Sequence, residues 1–201
     1  MLHFDEPVLV KTIEALEPRL RVAFATACAE RLRPAYLRFT TRAQRGEPVE
    51  FEANLDRLWL DLAGQCMTDE EVATGLDSCM RIIPHPDDVP WFEEQIYAED
   101  GGAALAYAMS CRADGQSQNA AWAARRAYET LDQYVGRHEN VDWNVPGAED
   151  FALAHGLIQS ELFRQQRDVA ELGRAADPAR AIGELRERAK REAASFFGAS
   201  S

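Results

Sequence analysis

Apolar residues recur along this chain every three or four positions, and almost nowhere every second position. That spacing marks helices with one buried face, because an α-helix completes a turn in about 3.6 residues. No run of alternating apolar and polar residues outcompetes helix, and no repeat of fixed period is visible. The expected fold class is therefore all-α: a compact bundle of seven or eight helices in irregular or orthogonal packing, with 1–201 as a single domain.

The punctuation between apolar stripes places the elements. Asp5 can cap a first short helix over about 5–16, with Pro7 in its first turn, where a missing N–H costs nothing. Pro18 opens a longer helix whose stripe is Leu20, Phe24, Ala27, Cys28 and Arg31, with Tyr36 and Phe39 beyond. Pro34 falls inside that pattern and predicts a kink or break near Arg31. Pro48 starts a third helix through Phe51, Leu55, Leu58, Trp59 and Leu62, and Thr68 with Glu71 forms a capping box for a fourth. Pro84, Pro86 and Pro90 forbid helix in the loop that follows.

The centre of the pattern is a pair of helices, over about 103–111 and 116–137. The first is apolar on nearly every face, which predicts a buried, central helix. The second carries Ala124, Tyr128, Leu131 and Val135 as one stripe, and its many alanines allow close helix packing. Trp122 and Tyr128 are expected in this core. A loop over 136–147 carrying Trp143 follows, then a helix over 148–173 whose stripe includes Phe151. Asp177-Pro178 opens a last, highly charged helix to about Phe197, expected on the outside of the bundle.

Charge changes the picture in one place. The chain holds 22 basic and 34 acidic residues, a net charge of −12. Residues 47–100 contain fifteen acids and only Arg57 and Arg81 as bases, which leaves the remainder close to neutral. Such a block repels nucleic acid and anionic membranes and attracts a basic partner. Solvated helix faces are the simpler account of such a block. Cys28, Cys66, Cys79 and Cys111 form no CxxC pair and sit in apolar helical settings, so buried free thiols in a reducing cytoplasm are expected. No leader sequence is recognisable at the start, and no stretch is apolar enough to span a membrane.

Few residues suggest chemistry. The histidines form no HExxH or other paired spacing, Ser110 and Ser160 lack a nucleophile elbow, and no cofactor motif is present. The strongest candidate is an acidic or metal cluster made of His85, Asp87, Asp88, Glu93, Glu94, Glu99 and Asp100. Carboxylates brought together could bind a divalent cation or exchange protons. Against that stands helix-dipole stabilisation of Glu99 and Asp100 in or near the first turn of the central helix. Gly101-Gly102 lacks a phosphate-loop pattern and points to close helix packing.

The segment AEDGGAALAYAMSCRADGQSQNAAWAARRAYETLDQYV resembles the bacterial YjaG-like family (domain of unknown function 416). RVAFATACAERLRPAYLRF, LDRLWLDL, RIIPHPDD and LIQSELFRQQRDVAEL are similar to further segments of that family, in the same order over about 21–172. The resemblance implies a compact, all-helical cytosolic protein and carries over no functional residue. The resulting expectation is a non-catalytic cytoplasmic interaction or adaptor protein. It would use the acidic block or the Trp143 loop against a protein with a basic surface, with no cofactor, nucleic acid or membrane. The rival expectation is a small-molecule- or metal-binding enzyme using the cluster at 85–100.

Overall fold

The signals at helix ends are used as expected. In the computed structural model, which describes residues 1–85 and 87–197, Asp5 caps α1 (Glu6–Glu14) by accepting from the Val8 N–H. Pro18 and Pro48 open α2 (Pro18–Ala43) and α3 (Pro48–Leu62). Both bonds of the Thr68–Glu71 capping box are made at the start of α4 (Asp69–Ile82). Then come α5 (Glu94–Asp114), α6 (Ser117–His138), α7 (Ala148–Leu153), α8 (Gly156–Arg174) and α9 (Pro178–Ala193). Gly115 ends α5 at φ +70°, a left-handed conformation that favours glycine. The described residues thus hold nine helices and no strand. Among the described residues no helix is long and apolar enough to cross a membrane.

The axis of the bundle is α2. Every residue from 22 to 32 is buried, so this stretch has no solvent face. It is surrounded by α3, α5, α6, α8 and α9. That enclosure explains why Pro34 does not break the helix as expected: α2 runs through it, held by packing on all sides. The central α5 is buried as expected, with Ala98, Ala104, Leu105, Ala108, Met109 and Cys111 fully enclosed. Its glycines permit the approach. A Cβ on Gly101 would lie 3.4 Å from the Leu32 carbonyl oxygen, and one on Gly102 would lie 3.0 Å from Ile83 Cγ1.

Several expectations need correction. The helix expected over 148–173 is two helices, with His155 capping the second through the Leu157 N–H, and Phe151 is exposed. Trp122 is 37% exposed and tilts against Tyr107, because the alanines around it take the inner face of α6. Tyr128 is half-buried and stacks on Phe4. Cys66 is exposed, unlike the other three free thiols. Finally, α9 lies on the outside with Ile182, Leu185 and Ala189 turned inward, as expected, but not all of its charges are left to solvent. It packs along α2, and its charges explain why.

Arg31 points from α2 into a fully enclosed site between α8 and α9. Its Nε lies 3.2 and 3.1 Å from the two Glu161 oxygens, and its Nη1 lies 2.9 Å from Asp168 Oδ2 and 3.6 Å from Glu192 Oε2. Arg167 and Arg188 reach Asp168 from outside at 2.8 and 3.0 Å, and Arg167 also reaches Glu192 at 2.7 Å. Burial works to raise the Asp168 carboxyl, yet Arg31, Arg167 and Arg188 hold it below the ordinary carboxylate range. Arg188 and Glu192 of α9 thus form part of the outer side of this ion network.

Two outcomes follow for stability. Arg31→Met should cost about 3–5 kcal/mol in urea unfolding, since Glu161 and Asp168 would remain buried without their counter-charge; an unchanged midpoint would show the network to be dispensable. Trp59 is enclosed and donates its indole N–H to Glu30 at 2.9 Å. Trp59→Ala should therefore cost about 3–5 kcal/mol, against about 1 kcal/mol for Trp122→Ala, which loses mainly its tilted contact with Tyr107. Equal losses would mean that the facing of α6 is wrong.

Candidate functional site

The prolines keep residues after α4 out of helix, and short polar contacts shape what remains. The His85 N–H donates to Asp88 Oδ2 at 3.1 Å, and the Asp87 N–H donates to His85 Nδ1 at 3.2 Å. Gln95 on α5 donates to the His85 carbonyl. Arg45 donates to the Pro90 carbonyl and to Gln95 at 2.9 and 2.8 Å, which ties the loop to the end of α2. The Asp87 carboxylate itself is 92% exposed and 3.7 Å from His85 Nδ1.

The carboxylates of α5 go elsewhere. This helix begins at Glu94, so Glu99 and Asp100 lie in its second turn, near the first but not in it. Glu93 accepts from the Tyr97 hydroxyl at 2.8 Å, and Glu94 pairs with Arg42 at 3.2 Å. Glu99 is half-buried. Asp100 is buried against α6, where it accepts from Thr130 at 3.0 Å, Arg126 at 3.2 Å and Gln133 at 3.5 Å. The structure therefore gathers His85, Asp87 and Asp88 in one turn and gives Glu93, Glu94 and Asp100 separate partners. Among the described residues, no three His, Cys, Asp or Glu side chains are placed to hold a metal ion.

Burial pushes the Asp100 carboxyl up to about 6, against the opposing pull of Thr130 and Arg126. An unfolded aspartate titrates at 3.8. Between those values the folded chain holds the extra proton, so Asp100 adds stability as pH falls through that window and loses it as pH rises.

The acidic block is only partly available to a partner. Besides Arg42 on Glu94 and Arg126 on Asp100, five arginines from outside or within it consume acids: Arg33 meets Glu52 at 3.7 Å, Arg186 meets Asp56 at 2.9 Å, Arg112 meets Asp61 at 2.7 Å, Arg81 meets Glu50 at 2.9 Å, and Arg57 meets Glu71. Asp69, Glu70, Asp77, Asp87 and Asp88 meet no arginine or lysine among the described residues, and all but Asp88 are exposed. They lie on α4 and the loop after it. The same segment exposes Met80, Val89 and Trp91, at 59, 82 and 52%. This concentration of free carboxylates and bare apolar side chains was not visible in the sequence, where the acids in ion pairs look like the rest. The loop with Trp143 is separate: its ring covers Gly136, where a Cβ would lie 2.7 Å from the indole.

An all-helical bundle with a buried ion network and one acidic, partly apolar face is the class of protein that fold and surface define. The chain belongs to the DUF416 family, described as a protein of unknown function, whose model matches residues 8–200. A crystal structure of a DUF416 family protein from Shewanella baltica OS155 is similar, with a TM-score of 0.81 at 21% sequence identity. The match covers 96% of this chain and 98% of that one, and at this identity it shows a common fold. No curated protein matches the chain.

Asp100→Asn should remove a pH dependence that the wild type has. Wild-type stability relative to the variant should fall as pH rises from about 4 to about 6, by at most about 1.4 kcal/mol per pH unit for one group. Urea midpoints across that range test it; parallel curves for the two proteins would mean that Asp100 does not hold the proton.

Proposed function

We propose that this protein is a non-catalytic interaction protein of the cytoplasm that presents an acidic face to a partner with a basic surface. The observation that supports this most is the segment over 69–91, where Asp69, Glu70, Asp77, Asp87 and Asp88 meet no basic side chain among the described residues and Met80, Val89 and Trp91 are exposed beside them. Complementary charge steers encounter and selects partners, while an exposed tryptophan supplies the kind of anchor that dominates binding energy. The three buried thiols, all free, fit a reducing compartment.

Partner capture from a native bacterial extract, followed by titration of the captured protein, tests this reading. Binding should weaken as salt is added, because exposed charges are screened. It should weaken by at least about tenfold in the triple variant D77N/D87N/D88N and again in Trp91→Ala, on the scale of about 1.4 kcal/mol or more for each change. These side chains are exposed or at the rim, so the melting temperature should hold. Affinity indifferent to salt and to all four substitutions would remove the acidic face from consideration.

A further inference from the structure

The first turn of α2 meets the C-terminal ends of α3 and α5 at a cleft of about 350 Å3. That volume lies at the small end of the range for small-molecule sites. Pro18, Val22 and Leu62 give it apolar walls, and Arg19, Arg112 and Asp61 give it charge, a net of one positive. The two arginines differ. Arg112 is committed: it donates to Asp61 at 2.7 and 3.2 Å and to the Met67 carbonyl at 3.1 Å. Arg19 is exposed and donates through Nη2 to the Leu62 carbonyl; among the described residues it meets no carboxylate, so its remaining donors face water and are open to a ligand.

In a chain of net charge −12 this leaves a guanidinium without a counter-charge beside an apolar wall. A ligand that satisfies both needs one negative group and a short apolar body. A guanidinium binds a carboxylate through paired N–H donors, and the apolar part gains by leaving water. A nucleotide or other polyphosphate would bring more negative charge than one free guanidinium offsets.

We propose that this cleft binds a small amphiphilic monoanion, an organic carboxylate with a short alkyl chain or a ring. The carboxylate sits on Arg19 and the apolar part lies against Pro18, Val22 and Leu62. None of the residues that line the cleft belongs to the segment over 69–91, so either reading can fail without the other.

Cys66 lines the same cleft and is exposed, whereas Cys28, Cys79 and Cys111 are buried and their thiols are pushed up by that burial. Alkylation of the full chain by iodoacetamide under native conditions therefore reports on the cleft through Cys66, read by mass spectrometry of the peptide that contains it. The probes are octanoate and phenylacetate, with octylamine and octanol as controls of charge. An anion in the cleft should slow alkylation saturably, by about tenfold at ten times its Kd, as expected for competition with the open form. Octylamine and octanol should not, and Arg19→Gln should abolish the protection by octanoate. No protection, equal protection by octylamine or octanol, or protection that survives Arg19→Gln overturns the proposal. If Arg19→Gln does not fold, the wild-type comparison of octanoate with octylamine and octanol decides alone.

Discussion

A guanidinium sealed inside a helical bundle is the constraint on which the arrangement of this protein depends. Arg31 has no solvent contact, and desolvating a cation costs several kcal/mol unless opposite charges surround it. The carboxylates that do so come from α8 and α9, so these helices cannot be placed freely around α2. Glu161 and Asp168 are two turns apart on α8, which aligns that helix with the guanidinium, and Glu192 brings α9 to the same point. Arg167 and Arg188 then neutralise what remains on Asp168 from the outer side. Hydrophobic contact alone would tolerate a sliding of α9 along α2; the ion network sets its register.

The opposite side of α2 is organised by size and not by charge. Here α5 lies close because Gly101 presents no side chain to Leu32 and Tyr36. Tyr36 in turn donates to the Ile82 carbonyl at 2.8 Å and stacks on Phe51, which links α2 to the end of α4 and to α3. The acidic helices α3 and α4 are thereby fastened from within. Arg112, Arg33 and Arg186 bind acids at their edges. Asp69, Glu70 and Asp77 on α4 and Asp87 and Asp88 in the loop beyond it are among the carboxylates left without an ion pair to arginine or lysine.

Periodicity made the helices legible, along with their caps and the burial of α5, because those depend on neighbours within a few residues. What it could not show depends on distant partners. Arg31 stood in the apolar stripe of α2 and looked like a place for a kink, since its partners lie 130 and 137 residues further on. The last helix read as solvent-facing because its arginines and glutamates look alike whether they meet water or other charges. Trp122 was placed inside because its neighbours are alanines, yet those alanines occupy the inner face themselves. The cluster at 93–100 was compact in sequence only: on a helix, Glu93 and Asp100 are separated by about 10 Å along the axis. The cleft beside Arg19 left no local trace, being assembled from the ends of three helices.

The span of the Arg31 contacts also bears on the order in which the chain can assemble as it leaves the ribosome. With only the segment before residue 161 available, enclosing Arg31 would strand a cation in an apolar interior, and water remains the cheaper surrounding. The α2 segment can form its backbone bonds early, but its middle turns gain from water until α8 arrives, and Glu192 can close the site only once α9 has followed. Synthesis therefore delivers the counter-charges last to the helix that everything else encloses, and the final packing of the bundle waits on the C-terminal helices.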